Sequence, residues 1–205
     1  MLAAIKPRAE VVFSRKMPFT PFHFGPGLLI KSVARPVFSW SAFVVAQVFI
    51  DCESLYYLLH HQYPVHRFFH TLLGATTAGL VAAGSWLLIV RFFTVVLSGV
   101  MESMRSSAAL RSEFSPIPVI MGGFIGGISH SCLDGIMHRD LRPFMPFSDC
   151  NPFQGLVGVG MLHLACVAAA VFGVVGITLW KTHKSHKDFL LSREDKRTNC
   201  SGREA

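Results

Sequence analysis

His130, Asp134 and His138 recur at every fourth position at the end of the apolar run 117–137. Asp51 and Glu53 interrupt a second apolar run, 40–59, and His66 and His70, again four apart, follow it. Residues four apart share a face of a helix, so the first set forms one polar stripe. Ionisable groups at membrane depth are costly and mark ion, proton or metal chemistry. Imidazole nitrogens and carboxylate oxygens are the ligands that zinc, manganese and iron take. These two sequence-distant clusters therefore predict a metal site holding His66, His70, His130, Asp134, His138, Asp51 and Glu53. An open position would be left for a water, with Glu53 or Asp140 moving its proton. A buried ion-pair network with Arg67, Arg139 and Arg142 is the competing structural reading. His60 and His61 read as interfacial, His163 as a hydrogen-bonded interior group, and His183 and His186 as part of a basic end.

The elements that must carry these residues follow from the apolar runs. Of 205 residues, 51% are hydrophobic and only 15% charged, below the quarter usual in soluble domains. Five apolar segments cover residues 24–37, 40–59, 71–90 (with a continuation towards 100), 117–137 and 156–180. A bilayer core takes about 20 helical residues. The last four segments meet that length; the first crosses only if tilted, thinned or half-buried. The expectation is an all-α, multi-pass transmembrane bundle of four to five apolar helices around a polar His/Asp centre, with a lipid bilayer as its partner. Gly122-Gly123 and Gly126-Gly127 give the fourth segment a small-residue stripe. It suits ordinary helix packing in lipid and equally the approach of a neighbouring backbone to the polar face. Pro143 and Pro146 stop that helix.

The net charge of +7 lies mostly outside the apolar runs. It reads as membrane-flanking charge, and no basic–aromatic interleaving suggests nucleic acid. Lys31, Arg35, Arg91, Arg105, Arg111 and the residues from Lys181 onward fall on one side, cytoplasmic by the positive-inside rule. Residues 1–16 read as a disordered basic leader, with Met17 as the natural start, 17–181 as the membrane domain, and 182–205 as a disordered cytoplasmic tail. The five cysteines, Cys52, Cys132, Cys150, Cys166 and Cys200, form no CxxC pair. Those in apolar runs read as packing residues, and no disulfide framework is expected.

Taken in order, His23, Asp51-Cys52-Glu53, His66-Arg67-Phe68-Phe69-His70-Thr71, and Gly127-Ile128-Ser129-His130-Ser131-Cys132-Leu133-Asp134 with Pro143 and Pro146 beyond resemble the YdjM-type family of membrane-bound metal-dependent hydrolases of bacterial inner membranes. The likeness covers roughly residues 18–152. It departs from the family pattern in several places. The acid pair is Asp-x-Glu, Ser54 stands where a histidine is common, His23 sits in Pro-Phe-His rather than Gly-His, and Thr71 follows His70 in place of serine. The resemblance implies metal ligands at His23, Asp51, His70, His130 and Asp134, with Glu53 and His66 as ligand or general base. It also implies five crossings. Arg67 and Arg142 would then hold an anionic, phosphate-like group.

Together these readings predict an integral inner-membrane hydrolase binding one or two divalent metals, zinc first among them. Its substrate would be a lipid-like ester or phosphoester at the interface. A cation or proton transporter, or a scaffold whose metal only fixes helices, are the alternatives; no internal repeat of the kind transporters show is evident.

Overall fold

The computed structural model describes residues 21–96 and 113–201, with side chains as far as residue 193. Among these residues every regular element is helical. A 3-10 turn at Pro21–His23 runs into α1 (Phe24–Val33), followed by α2 (Trp40–Leu59), a 3-10 turn at Phe68–His70, α3 (Leu72–Val96), α4 (Pro116–Met137) and α5 (Val159–Ser201). The proposed leader and start at Met17 lie outside the described residues.

Helices α2 to α5 are long and apolar enough to cross a membrane, four in all among the described residues. The 20 residues of α2 reach about 30 Å at ~1.5 Å per residue, the thickness of the hydrocarbon layer. The 10 residues of α1 reach only about 15 Å. The first apolar segment is therefore a half-length helix and not a fifth full span.

Burial separates centre from periphery. In the most apolar stretch of α2 and of α4, 39% and 44% of residues are buried, against 17% in α3 and in α5. The central pair therefore carries the polar groups, and the outer pair presents Leu80, Leu88, Phe92, Val171 and Phe172 outward. Helices α2 and α4 start at the same end: the Ser39 N–H donates to the Pro118 carbonyl at 3.0 Å. Ser39 caps α2 by accepting from the Ala42 N–H. Glu113 closes this end, accepting from Ser39 and Ser41 and pairing with Lys31 at 2.7 Å.

The glycine stripe decides how tightly α4 is held. A Cβ on Gly122 would lie 2.3 Å from the Ser39 carbonyl oxygen, and one on Gly127 would lie 2.2 Å from that of Ala75. Gly122 and Gly126 thus face α2, while Gly123 and Gly127 face α3. Small residues allow this backbone-to-backbone approach on both sides at once. Helix α1 lies along α5, with Gly25 against the Cys166 carbonyl and Gly173 against Leu28 and Leu29.

Helix α5 continues to Ser201, so residues 182–201 are helical where a disordered tail was expected. From Lys181 to Ser201 there is no glycine or proline, and nine of the 21 residues are Lys, Leu, Arg or Glu, all good helix formers. Once α5 is nucleated in the bundle, each further residue adds a hydrogen bond at little cost.

Candidate metal centre

Asp51 follows Trp40 by 11 residues along α2, about 16 Å into its length at ~1.5 Å per residue. That is near the middle of the apolar layer. On α4, His130 and Asp134 share the face turned towards Asp51. His70 arrives from the 3-10 turn ahead of α3, whose position is fixed because the Ser131 hydroxyl donates to the His70 carbonyl at 2.7 Å. His23 arrives from the turn that opens α1. Asp51, His70, His130 and Asp134 are all buried, and each offers one ligand atom within 4.8 Å of the others. Asp134, His66 and His138 form a second such group.

The two groups meet at Asp134. Its Oδ2 lies 3.2 Å from His130 Nε2 and 3.6 Å from His70 Nε2. Its Oδ1 lies 3.5 Å from His23 Nε2 and 3.8 Å from His138 Nε2. Asp51 Oδ1 adds contacts of 3.3 Å to His130 Nε2 and 3.9 Å to His70 Nε2. The close charged partners of both carboxylates are histidines. The competing ion-pair network does not form around them: Arg142 pairs with exposed Asp149 at 2.8 Å, and Arg67 donates to the Pro64 carbonyl and stacks on Tyr57.

Hydrogen bonds fix which nitrogen of each ring faces inward. The Ser129 hydroxyl donates to the Gly126 carbonyl, so it accepts from the Gln47 amide N–H at 3.1 Å. That turns the Gln47 oxygen towards His130 Nδ1, 2.5 Å away, which must donate. Neutral His130 then carries a bare lone pair on Nε2. This nitrogen is buried and makes no hydrogen bond, although carboxylate oxygens stand 3.2 and 3.3 Å away; they lie off the direction a proton there would take. A bare ring nitrogen buried without a hydrogen bond beside two carboxylates is costly unless a proton or a metal cation sits among them. The donor set of two imidazoles and two carboxylates fits a divalent ion such as zinc or manganese.

Glu53 and Asp140 occupy corresponding places behind the rings. Glu53 Oε2 accepts from the Phe69 N–H at 2.9 Å and lies 3.3 Å from His70 Nδ1. Asp140 Oδ2 lies 2.9 Å from His66 Nδ1. Both hold the outer nitrogen of a histidine, the usual way a carboxylate orients a metal-binding imidazole. Glu53 therefore sits away from the inward faces of Asp51 and Asp134, where a ligand or a base acting on a bound water would stand. Burial raises the Asp140 carboxyl, but the hydrogen bond and charge of His66 outweigh it and hold the group down at about 2.

His138 ends α4 in an extended conformation, so the stripe of three is two helical residues and a cap; the cap still reaches Asp134 because its N–H bonds the Asp134 carbonyl at 2.8 Å. Asn151 donates to the Gly135 carbonyl and ties the following loop under this end. His60 and His61 are exposed. His163 stacks on Phe22 at 4.6 Å, and its Nε2 has no hydrogen-bond partner, contrary to the expected bonded group.

A cleft of about 900 Å³ opens beside His66, and its lining includes the charged Arg67, Arg139, Asp140 and Arg142 and the apolar Phe68 and Met145. It lies between the α2–α3 connection and the loop after α4, which are joined by the Leu72 N–H to Pro143 carbonyl bond at 2.8 Å.

Gln47, Ser131 and Ser54, whose hydroxyl lies 3.1 Å from His70 Nε2, belong to this centre and were not expected from the sequence. Gln47 and Ser54 stand four residues before and three after Asp51, so the helical spacing that grouped the histidines also marks them. No family model, curated protein or solved structure matches this chain. What the fold and the cluster define is a helical membrane protein with a buried site able to hold a metal ion.

Proposed function

We propose that this chain is a membrane-embedded metal-dependent hydrolase of the YdjM type. It would cleave an ester or phosphoester of an anionic amphiphile at the membrane interface. The observation that carries the reading is the inward Nε2 of His130, its ring held by Gln47, buried beside two carboxylates with no hydrogen bond to either.

Asp51, His70, His130 and Asp134 would hold the ion, with zinc the first candidate. A divalent ion there supplies Lewis-acid polarisation and makes water acidic enough to ionise near neutral pH. Gln47 and Glu53 keep the rings of His130 and His70 oriented. Arg67, Arg139 and Arg142 would attract a phosphate-like head into the cleft, and Phe68 and Met145 would take adjoining acyl carbons. His66, backed by Asp140, stands where a proton could pass between the centre and the cleft. Lys31, Arg35 and the basic end of α5 lie at the opposite end, which by the positive-inside rule supports reading the cleft as non-cytoplasmic in an inner membrane.

Elemental analysis of detergent-purified protein, followed by turnover on a panel of phosphoesters and carboxyl esters by wild type and His130→Ala, tests the reading. Bound metal with hydrolysis lost in the variant supports it. Stoichiometric metal without turnover on any ester would instead favour a metal-fixed scaffold. The mid-depth position of Asp51 favours one second reading, passage of a cation through the bundle; metal flux into proteoliposomes would identify it.

A further inference from the structure

We infer that the centre is built for two divalent cations, bridged by the Asp134 carboxylate. The inference rests on reading the cluster as a metal centre and adds a second, separately addressable site to it.

The two oxygens of Asp134 serve different histidines. Oδ2 faces His70 and His130, which also share Asp51. Oδ1 faces His23 and His138. A carboxylate serving one ion would need only one of these faces, and the other would be left with lone pairs directed at its own oxygen. His23 is the sharper case. It is 2% exposed, and neither ring nitrogen makes a hydrogen bond. An imidazole buried in this state is left unsatisfied on both sides of the ring, which is unfavourable. Its Nε2 stands 3.5 Å from Asp134 Oδ1, on the side of the carboxylate that also faces His138.

His66 completes the second site from the cleft side. Asp140 engages its Nδ1, which leaves Nε2 as the ligand nitrogen. His66, His138 and Asp134 bring ligand atoms within 4.8 Å of one another, and the His66 and His138 rings lie 4.2 Å apart. The second ion is thus held by Asp134 Oδ1, His138 and His66, with His23 beside this group. Charge agrees with this count. Asp51, Glu53, Asp134 and Asp140 are the carboxylates in contact with these histidines, and together they balance two divalent ions. A single ion would match only two of these four charges; Asp51 and Asp134 are buried, where uncompensated charge is costly, whereas Asp140 is exposed to the cleft.

The sites differ in access. The ligands of the first are all buried, whereas His66 and His138 of the second are only partly so. The second ion therefore exchanges first and is the one that meets the cleft.

The test uses the full chain in detergent, loaded with Mn²⁺ alone. Two ions per chain by elemental analysis and an exchange-coupled manganese spectrum in the wild type are expected. His138→Ala and His66→Gln should each fall to one ion with an uncoupled spectrum. Brief chelation of the wild type should do the same, a readout that needs no variant to fold. One ion per chain in the wild type with an uncoupled spectrum overturns the second site and leaves the metal centre standing. No bound metal overturns both.

Discussion

Replacing Gln47 with leucine tests the link between hydrogen bonding and metal binding. The residue is 1% exposed, and its amide oxygen is the acceptor for His130 Nδ1. Leucine has a similar volume, so the change removes the acceptor without opening a large cavity. The buried Nδ1–H is then unpaired, at a cost of about 1–3 kcal/mol. The ring can relieve this by moving its proton to Nε2, the nitrogen that faces Asp51 and Asp134. That proton must leave before a metal can bind. Loss of an outer partner of a metal-binding histidine typically lowers affinity by about 10- to 100-fold, or about 1.4–2.8 kcal/mol at ~1.4 kcal/mol per tenfold. Competition with a chromophoric chelator measures this directly. Gln47→Glu keeps an acceptor at Nδ1 and should hold its metal at least as tightly as wild type. Wild-type affinity in Gln47→Leu would show that Gln47 does not set the tautomer, and the argument from the His130 lone pair would fail with it.

Gly127→Ala places a Cβ 2.2 Å from the Ala75 carbonyl, so α3 and α4 must part by roughly 1 Å to reach ordinary contact; overpacking of this kind costs about 1–3 kcal/mol, read as a lower unfolding midpoint in detergent. Gly84→Ala, with nothing within 4 Å, is the control and should be neutral or stabilising by up to about 1 kcal/mol. Chelation should lower the wild-type midpoint, since a ligand at 100 times its Kd contributes about 2.7 kcal/mol, and Asp51→Asn should abolish most of that shift. In chelated protein, Asp140 titrates at about 2 when folded and near 3.9 when unfolded. Its contribution is present above the unfolded value and is lost as pH falls through the folded one. The pair is partly exposed, at 39% for the Asp140 side chain, so the contribution is at most about 1 kcal/mol. Asp140→Asn should flatten the fall in midpoint between roughly pH 4 and pH 2, and an unchanged slope would remove the His66–Asp140 pair from the account.

Much of this molecule is written in local sequence. The lengths of the apolar runs define α2 and α4 nearly to the residue, because a helix must reach across a fixed thickness of hydrocarbon; the third run, 71–90 with a continuation towards 100, leaves the end of α3 at Val96 open. The four-residue spacing of His130 and Asp134 puts them on one face, because 3.6 residues make a turn. The contacts between helices are another matter. Nothing in the composition of the short first segment announces a half-length helix whose opening turn sets His23 beside Asp134. Glu53 and Asp140 read as proton carriers because their type permits it, but their position behind His70 and His66 is set by the connection between α2 and α3 and the loop after α4. Gln47 looks like an isolated amide in an apolar helix until Ser129 and His130 of α4 close on it. Composition and period determine which residues share a helix face. Which nitrogen of a ring points inward, and which oxygen of Asp134 serves which histidine, is decided only when glycine-lined helices bring those faces within hydrogen-bonding distance.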